Sequence, residues 1–292
     1  MFKDLALGYR SYLNAIKFIK EHKLYVYFFF PILLFVGIYY LGFAFEEWKT
    51  EAAQSSGEES FWLKIWNAIV YGFYTVMAYL VFKFMRYILI ICLSPVLSIV
   101  SERVERIITG NVYHFNFKQL VKDVKRTVNL SIRNLIWEFG IVYSAWLVLE
   151  VVGWVFHFPP FFIDYMQTLF AMLIGFYYYG FSFIDYMNER RRLTISESVL
   201  IVKKHKWFAF ALGSIFTLLF HYTNKYFINA KDDLSTNAFL VIVIVSSTVM
   251  SIIPIVTIIA ATLGVNELVD LKNKGDVDSG KDEEDVKKIT EL

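Results

Sequence analysis

The chain has 292 residues, of which 57% are hydrophobic and 19% are charged, and its mean hydropathy is +0.48. A soluble domain of this length carries more charge, so the composition predicts an integral membrane protein. The net charge of +2 gives no reason to expect a nucleic-acid partner. The single cysteine, Cys92, cannot form an intramolecular disulfide and is expected to act as a small buried hydrophobe.

Residues 1–23 predict an amphipathic helix that lies in the membrane interface. Its lysines and arginines would face an anionic leaflet. Its apolar side would be formed by Leu5, Leu7, Tyr12, Ile16 and Ile19. The segment is too charged to supply the apolar core of a cleavable signal peptide, and none is expected.

The first two membrane segments are predicted on either side of an acidic linker. The first covers about residues 24–45, which is long enough to cross a bilayer core of roughly 30 Å. After the linker at 46–60, the apolar stretch 61–100 is longer than one crossing. We therefore expect a span to about Phe82, then a helix that leaves the membrane or bends along it, with a kink or break at Pro95.

The second half of the chain reads as two helical pairs. After a basic helical region with a stop at Gly110, apolar segments at about 135–157 and 161–186 are joined by Pro159-Pro160. A basic stretch leads to the last pair, at about 207–222 and 238–264. The chain thus divides into the interfacial helix 1–23, a membrane domain 24–264 of about six apolar segments, and a charged cytoplasmic tail 265–292 expected to be disordered.

The distribution of basic residues predicts an orientation. Residues 83–134 contain nine lysines and arginines and residues 187–206 contain six, whereas the linker 46–60 has only Lys49. By the positive-inside rule, both termini and both basic stretches are expected on the cytoplasmic side.

Two features of the later pairs favour hairpins that enter the membrane without crossing it. The pairs contain the carboxylates Glu138, Glu150, Asp164 and Asp185, and a charge at mid-bilayer costs roughly 2.5 to 3.5 kcal/mol. The segment 207–222 is also short for a full crossing. Hydropathy alone does not separate a hairpin from two full spans.

Three ordered stretches resemble one family of membrane proteins. The first runs from Ser94-Pro95-Val96-Leu97-Ser98 through Ser101-Glu102-Arg103-Val104-Glu105 to Thr109-Gly110. The second joins Ile184-Asp185-Tyr186 to Arg190-Arg191-Arg192, Ser196 and Lys203-Lys204-His205-Lys206-Trp207. The third comprises Ile253-Pro254-Ile255 and Ala260-Ala261-Thr262-Leu263. In this order they are similar to the family of the etoposide-induced protein 2.4 and the CysZ-type sulfate permeases.

The resemblance implies an all-α integral membrane protein with two long transmembrane helices and two helical hairpins that only partly penetrate the bilayer. It also implies oligomers, a bacterial inner-membrane location and passage of a small oxyanion such as sulfate. One motif departs from the family: where the permeases carry Pro-Gly-Leu-Arg before the first long helix, this chain has His22-Lys23-Leu24-Tyr25. A lysine lacks the bidentate fork with which arginine holds an oxyanion.

Basic residues are the candidate anion-binding groups. They are Lys20, His22, Lys23, Lys83, Arg86, Arg190, Arg191 and Arg192. The first three precede a membrane helix whose free N–H groups could hold an anion, or they could anchor the chain to lipid headgroups. Lys83 and Arg86 could line an anion path or extend to the inner headgroups. The three arginines could gather anions or form a salt bridge with Asp185.

Three carboxylates are structural or proton-coupling candidates: Glu138, Glu150 and Asp185. Glu138 and Glu150 are expected on roughly one helix face, where a proton-coupled carrier could use one of them or an arginine such as Arg133 could neutralise it. The scattered histidines lack metal-ligand spacing, and no nucleotide loop or catalytic motif is present. The sequence therefore predicts neither an enzyme nor a metal or cofactor site.

The sequence leaves two function classes open. One is an oxyanion transporter, and the other is a non-transporting scaffold or lipid-interacting protein of the same fold. The altered Pro-Gly-Leu-Arg turn and the aromatic run at 176–183 favour the second. Membrane lipid, a small anion, and either further copies of the chain or other subunits of a membrane complex are the expected partners.

Overall fold

The computed structural model describes residues 1–54, 61–110, 117–191, 193–230 and 236–268, and this part of the chain is helical and contains no strand. A short 3-10 helix, Leu24–Phe28, links α1 to α2. The α-helices are α1 (Phe2–His22), α2 (Phe29–Gln54), α3 (Phe61–Thr109), α4 (Phe117–Phe156), α5 (Pro160–Arg190), α6 (Ile195–Lys204), α7 (Lys206–Ala230) and α8 (Thr236–Leu268).

Four stretches of the described helices are long and apolar enough to cross a membrane. They are Tyr87–Thr109, Val124–Phe156, Pro160–Glu189 and Ile244–Leu268. Phe2–His22 and Leu24–Ile38, which meet at an angle of 115°, would make a fifth as one bent element. The prediction of an all-α multi-pass membrane protein is confirmed. The described helices give four or five candidate spans, fewer than the six apolar segments predicted.

Helix α3 runs unbroken through Pro95, so of the expected kink or break the break is wrong. Its 49 residues extend about 73 Å. The half before Tyr87 exposes large apolar side chains such as Trp62 and Trp66, whereas Leu93 and Leu97, on either side of the proline, are fully buried. Packing of this second half against the other helices compensates for the backbone hydrogen bond that proline removes.

The predicted turn between α4 and α5 is confirmed at Pro159-Pro160. His157 adopts a left-handed backbone conformation with φ of 54°, and the N–H of Phe158 donates to the carbonyl of Gly153 at 3.1 Å. Pro159 is extended and Pro160 begins α5, where its missing N–H costs nothing.

Helix α1 packs against α7 and α8, so it is part of the protein core as well as amphipathic. Its buried face combines small residues with two of the predicted apolar ones. A Cβ added at Gly8 would lie 2.5 Å from the Cβ of Ala211, and Ser11, Tyr12, Ala15 and Ile19 are buried. Ile16, expected on the apolar side, is 48% exposed. The packed face therefore keeps Tyr12 and Ile19 of the predicted side but not Ile16.

Helices α5 and α7 cross at two glycines. A Cβ added at Gly180 would lie 2.5 Å from the carbonyl carbon of Ala209, and one at Gly213 would lie 2.7 Å from that of Phe176. Carbon atoms in contact are normally 3.5 to 4.0 Å apart. The two backbones thus touch directly, as small residues allow in membrane helices.

Large apolar side chains cover the outside of the fold. At the tip of the α4–α5 pair, Trp154 is 81% exposed and Phe161 is 74% exposed. Cys92 is also exposed, so its predicted burial is wrong. Such a surface is stable in lipid, which is as apolar as the side chains that it covers.

The last two apolar segments belong to longer helices than expected. The short 207–222 segment lies within the 25-residue α7, and α8 continues beyond 264 to Leu268. Most of the predicted tail, residues 269–292, lies outside the described residues.

Candidate functional site

A row of buried polar side chains lies between α4 and α5. On α4, Thr127, Ser131, Asn134 and Glu138 follow a spacing of four, three and four residues, which places them on one helix face. We call this row the polar seam, and we call the end at Arg126 its foot. Its members are Arg126, Thr127, Ser131, Asn134 and Glu138 of α4 and Ser182 and Asp185 of α5. It extends about 18 Å along α4.

The foot of the polar seam is a bidentate ion pair. Arg126 Nε donates to Asp185 Oδ2 at 3.0 Å, and Nη2 donates to Oδ1 at 2.8 Å. The two side chains are 16% and 5% exposed. The Ser198 hydroxyl of α6 also donates to Asp185, and Asn188 Nδ2 donates to Ser198 Oγ at 2.9 Å. The carboxylate thus accepts hydrogen bonds from two neighbouring helices, α4 and α6.

The inner end of the polar seam is Glu138, which is 5% exposed. The Tyr87 hydroxyl of α3 donates to its Oε2. Gly175 of α5 faces the same carboxylate, because a Cβ built there would lie 3.5 Å from Glu138 Oε1. Between the two ends, Asn134 Nδ2 donates to Ser182 Oγ in a long hydrogen bond of 3.4 Å.

Glu150 lies apart from the polar seam, so the expectation of a shared face is wrong. A separation of twelve residues turns an α-helix by about 120° from its starting direction. Glu150 is exposed and accepts a hydrogen bond of 2.8 Å from Gln167 Nε2 of α5. Of the two carboxylates, only Glu138 is buried.

The basic residues before the first membrane helix lie on the surface. Lys20, His22 and Lys23 are exposed, and the ring of His22 packs against Phe18 with 4.3 Å between centroids. Lys23 is left-handed, with φ of 53°, at the sharp turn that ends α1. The segment that follows is a five-residue 3-10 helix, not the start of a long α-helix. These features give no enclosed anion site.

The remaining sequence candidates fall in different places. The backbones of Lys83 and Arg86 belong to α3 and that of Arg190 ends α5, but their side chains and the whole of Arg192 lie outside the described residues. Arg191 is half-buried at the foot of α5. Burial lowers the pKa of its guanidinium, and the Glu105 carboxylate opposes the shift.

Sequence reasoning missed Arg126 as a partner of Asp185. The arginine cluster adjacent in sequence seemed the natural counter-ion, whereas the ion pair described here comes from a residue 59 positions away. The four-three-four spacing of polar residues on α4 was a usable signal. The capping box at Thr194 and Glu197 was a signal for the start of α6, the helix that carries Ser198. The two residues have the required three-residue separation and exchange hydrogen bonds.

In the described part of the chain, no group of three or more histidine, cysteine or carboxylate residues could hold a metal ion.

Comparison with known proteins gives one family. The family model described as sulfate transporter CysZ/etoposide-induced protein 2.4 matches residues 11–222, more than two thirds of the chain. The match covers α1 to α7 in part or whole and leaves out α8, so the third sequence stretch noted above lies beyond it. No curated protein matches the chain significantly.

Proposed function

We propose that this chain, which belongs to the sulfate transporter CysZ/etoposide-induced protein 2.4 family, carries a small oxyanion such as sulfate across the membrane. The supporting observation is the polar seam. Polar groups are costly inside membrane helices, and they mark substrate or proton routes when they persist there. A row of hydroxyls, one amide, one ion pair and one further carboxylate between two apolar helices fits such a route.

The charge of sulfate requires an energy source for uptake. Moving one elementary charge across 100 mV changes the free energy by about 2.3 kcal/mol, so a divalent anion entering a negative interior costs about 4.6 kcal/mol per 100 mV. Co-transported protons would remove this cost. The fork of Arg126 holds Asp185, so we assign the proton to Glu138, the other buried carboxylate of the polar seam, with Tyr87 orienting its oxygen.

Arg191 is the candidate first contact for the anion. Its Nη1 is buried and has no hydrogen-bond partner among the described residues. A tetrahedral oxyanion could accept from this donor with strong charge assistance. Arg126 is unsuited to this role because Asp185 already occupies its fork.

The test is uptake of labelled sulfate into proteoliposomes under an imposed pH gradient. Wild-type protein is expected to accumulate sulfate faster when the outside is acidic. Glu138→Gln keeps the shape of the side chain but cannot bind or release the proton, so acceleration by the gradient should disappear. Glu150→Gln is the matched control on the same helix and should behave as wild type. Uptake equal to empty vesicles at every gradient would refute transport.

A second candidate function is a non-transporting scaffold or lipid-interacting protein. Two observations favour it: the polar seam is closely packed, and the α4–α5 tip exposes large aromatic side chains. Purification with a stoichiometric partner, combined with no sulfate uptake, would select this function. Neither function includes an enzymatic step.

We also propose a bacterial inner-membrane location with both termini in the cytoplasm, and assembly into homo-oligomers or a larger membrane complex. The concentration of basic residues in 83–134 and 187–206 supports the orientation. Protease digestion of inside-out and right-side-out vesicles tests it, since a terminal tag should be cleaved only in the former.

A further inference from the structure

Two neighbouring depressions along α4 differ in character. The first, which we call the head pocket, has a volume of about 230 Å³ and is lined by Arg133, Trp137, Tyr177, Tyr178 and Lys203 with two apolar side chains. The second, the tail groove, has a volume of about 590 Å³ and is lined by Trp137, Gly140, Ser144, Ala145, Val148 and Phe170 with two aliphatic side chains. Trp137 borders both.

The head pocket is cationic. It holds two basic side chains from different helices, Arg133 of α4 and Lys203 of α6, and no acidic residue lines it. In the described part of the chain, the one hydrogen bond of Arg133 is a 3.4 Å contact with Asn134 Oδ1, which leaves most of the guanidinium donors available. The phenols of Tyr177 and Tyr178 add hydroxyl donors. Arginine and lysine together with hydroxyl donors are the groups that bind a phosphate.

The tail groove is apolar and open. Gly140 has no atom within 4 Å of its ideal Cβ position, so it forms the floor of the depression. From Arg133 to Val148, α4 rises about 22 Å, which exceeds one leaflet of a bilayer core roughly 30 Å thick. Trp137, 56% exposed between the two depressions, is a residue type that favours the boundary between headgroups and acyl chains.

We propose that this surface is a binding site for one anionic phospholipid, with its phosphate in the head pocket and an acyl chain in the tail groove. The charge of the first depression and the apolarity of the second match the two ends of one amphipathic ligand. A zwitterionic lipid would fill the tail groove equally well but would bring its own cation to the head pocket. The site is separate from the polar seam, so it does not depend on transport.

Native mass spectrometry of the full chain, titrated with phosphatidylglycerol and with phosphatidylcholine of identical acyl chains, tests the proposal. Wild-type protein should bind phosphatidylglycerol about tenfold more tightly, the effect of roughly one charge-assisted hydrogen bond. The double variant Arg133→Gln with Lys203→Gln should lose this preference. Lys204→Gln, exposed on the same helix and outside the head pocket, should keep it, and Arg133→Lys should keep most of it.

The tail groove is tested separately. Gly140→Leu would fill it and should weaken both lipids about tenfold, whereas Gly72→Leu, at another open position, should weaken neither. Equal affinity of wild type for the two lipids would overturn the proposal. Displacement of phosphatidylglycerol by millimolar inorganic phosphate, with no effect of Gly140→Leu, would show a free-oxyanion site instead. A change of oligomeric mass in Gly140→Leu would show that a second copy occupies the groove.

Discussion

Replacing Gly180 with alanine is expected to separate α5 from α7 and destabilise the protein. The added Cβ would lie 2.5 Å from the carbonyl carbon of Ala209, about 1 Å inside the normal contact distance. Because the clash is with backbone, no side-chain rotation can relieve it. Only a shift of one helix can, and that shift would loosen the fully buried Phe183 and Phe216 beside the crossing.

The size of the effect follows from two opposing contributions. Overpacking at a rigid contact costs about 3 kcal/mol, and replacing a helical glycine by alanine recovers about 1 kcal/mol of helix propensity. The net loss is therefore about 2 kcal/mol, or roughly 4 to 8 °C in the midpoint of thermal unfolding. Intrinsic-fluorescence melting of detergent-solubilised protein measures this shift.

Gly72→Ala is the matched control, since its Cβ would meet no atom within 4 Å. It should leave the melting temperature unchanged or raise it by roughly 2 to 4 °C, the effect of about 1 kcal/mol of propensity. If Gly180→Ala melts at or above the temperature of this control, the direct backbone contact between α5 and α7 does not exist and the described crossing is wrong.

Three further predictions follow from the turns and the ion pair. Arg126→Gln leaves the buried Asp185 carboxylate without its counter-ion and should lower the free energy of unfolding by about 3 to 5 kcal/mol, measured in a thermal melt. An unchanged melting temperature would show that the ion pair does not form. Thr194→Ala removes the cap of α6 and should lower the stability of that helix by about 1 kcal/mol, which gives roughly fivefold faster amide exchange in it. Unchanged exchange would contradict the cap. If the α4–α5 pair stops within the bilayer, a cysteine at position 157 (His157→Cys with Cys92→Ser) should not react with membrane-impermeant maleimide added on either side. Labelling from the side opposite to the cytoplasm would show that the pair crosses the membrane completely.

The ends of several helices could be predicted from the sequence because they depend on local chemistry. Gly110 follows the last residue of α3, and Pro159-Pro160 separates α4 from α5, as expected. Pro95 misled for the same reason: its local preference is to break a helix, but here long-range packing determines the outcome. The sequence does not show that packing.

The partners of charged residues were harder to predict than the elements. Asp185 has three arginines close by in sequence, yet its bidentate partner in the described chain is Arg126, brought near only when α4 folds back on α5. Proximity along the chain is a poor guide to proximity across a helix pair. The buried face of α1 was predicted only in part: Tyr12 and Ile19 lie on it as expected, whereas hydropathy does not reveal the close helix contact that Gly8 permits.

Because α3 is long, its two halves lie in different surroundings. The half before Tyr87 presents its apolar side chains to the surroundings, so a thicker or thinner bilayer would act on it as hydrophobic mismatch. The half that follows meets chiefly other helices, so the bilayer does not act on it directly. A single rigid rod would then carry strain from the bilayer into the packed interior, which makes membrane thickness a natural variable for any activity of this protein.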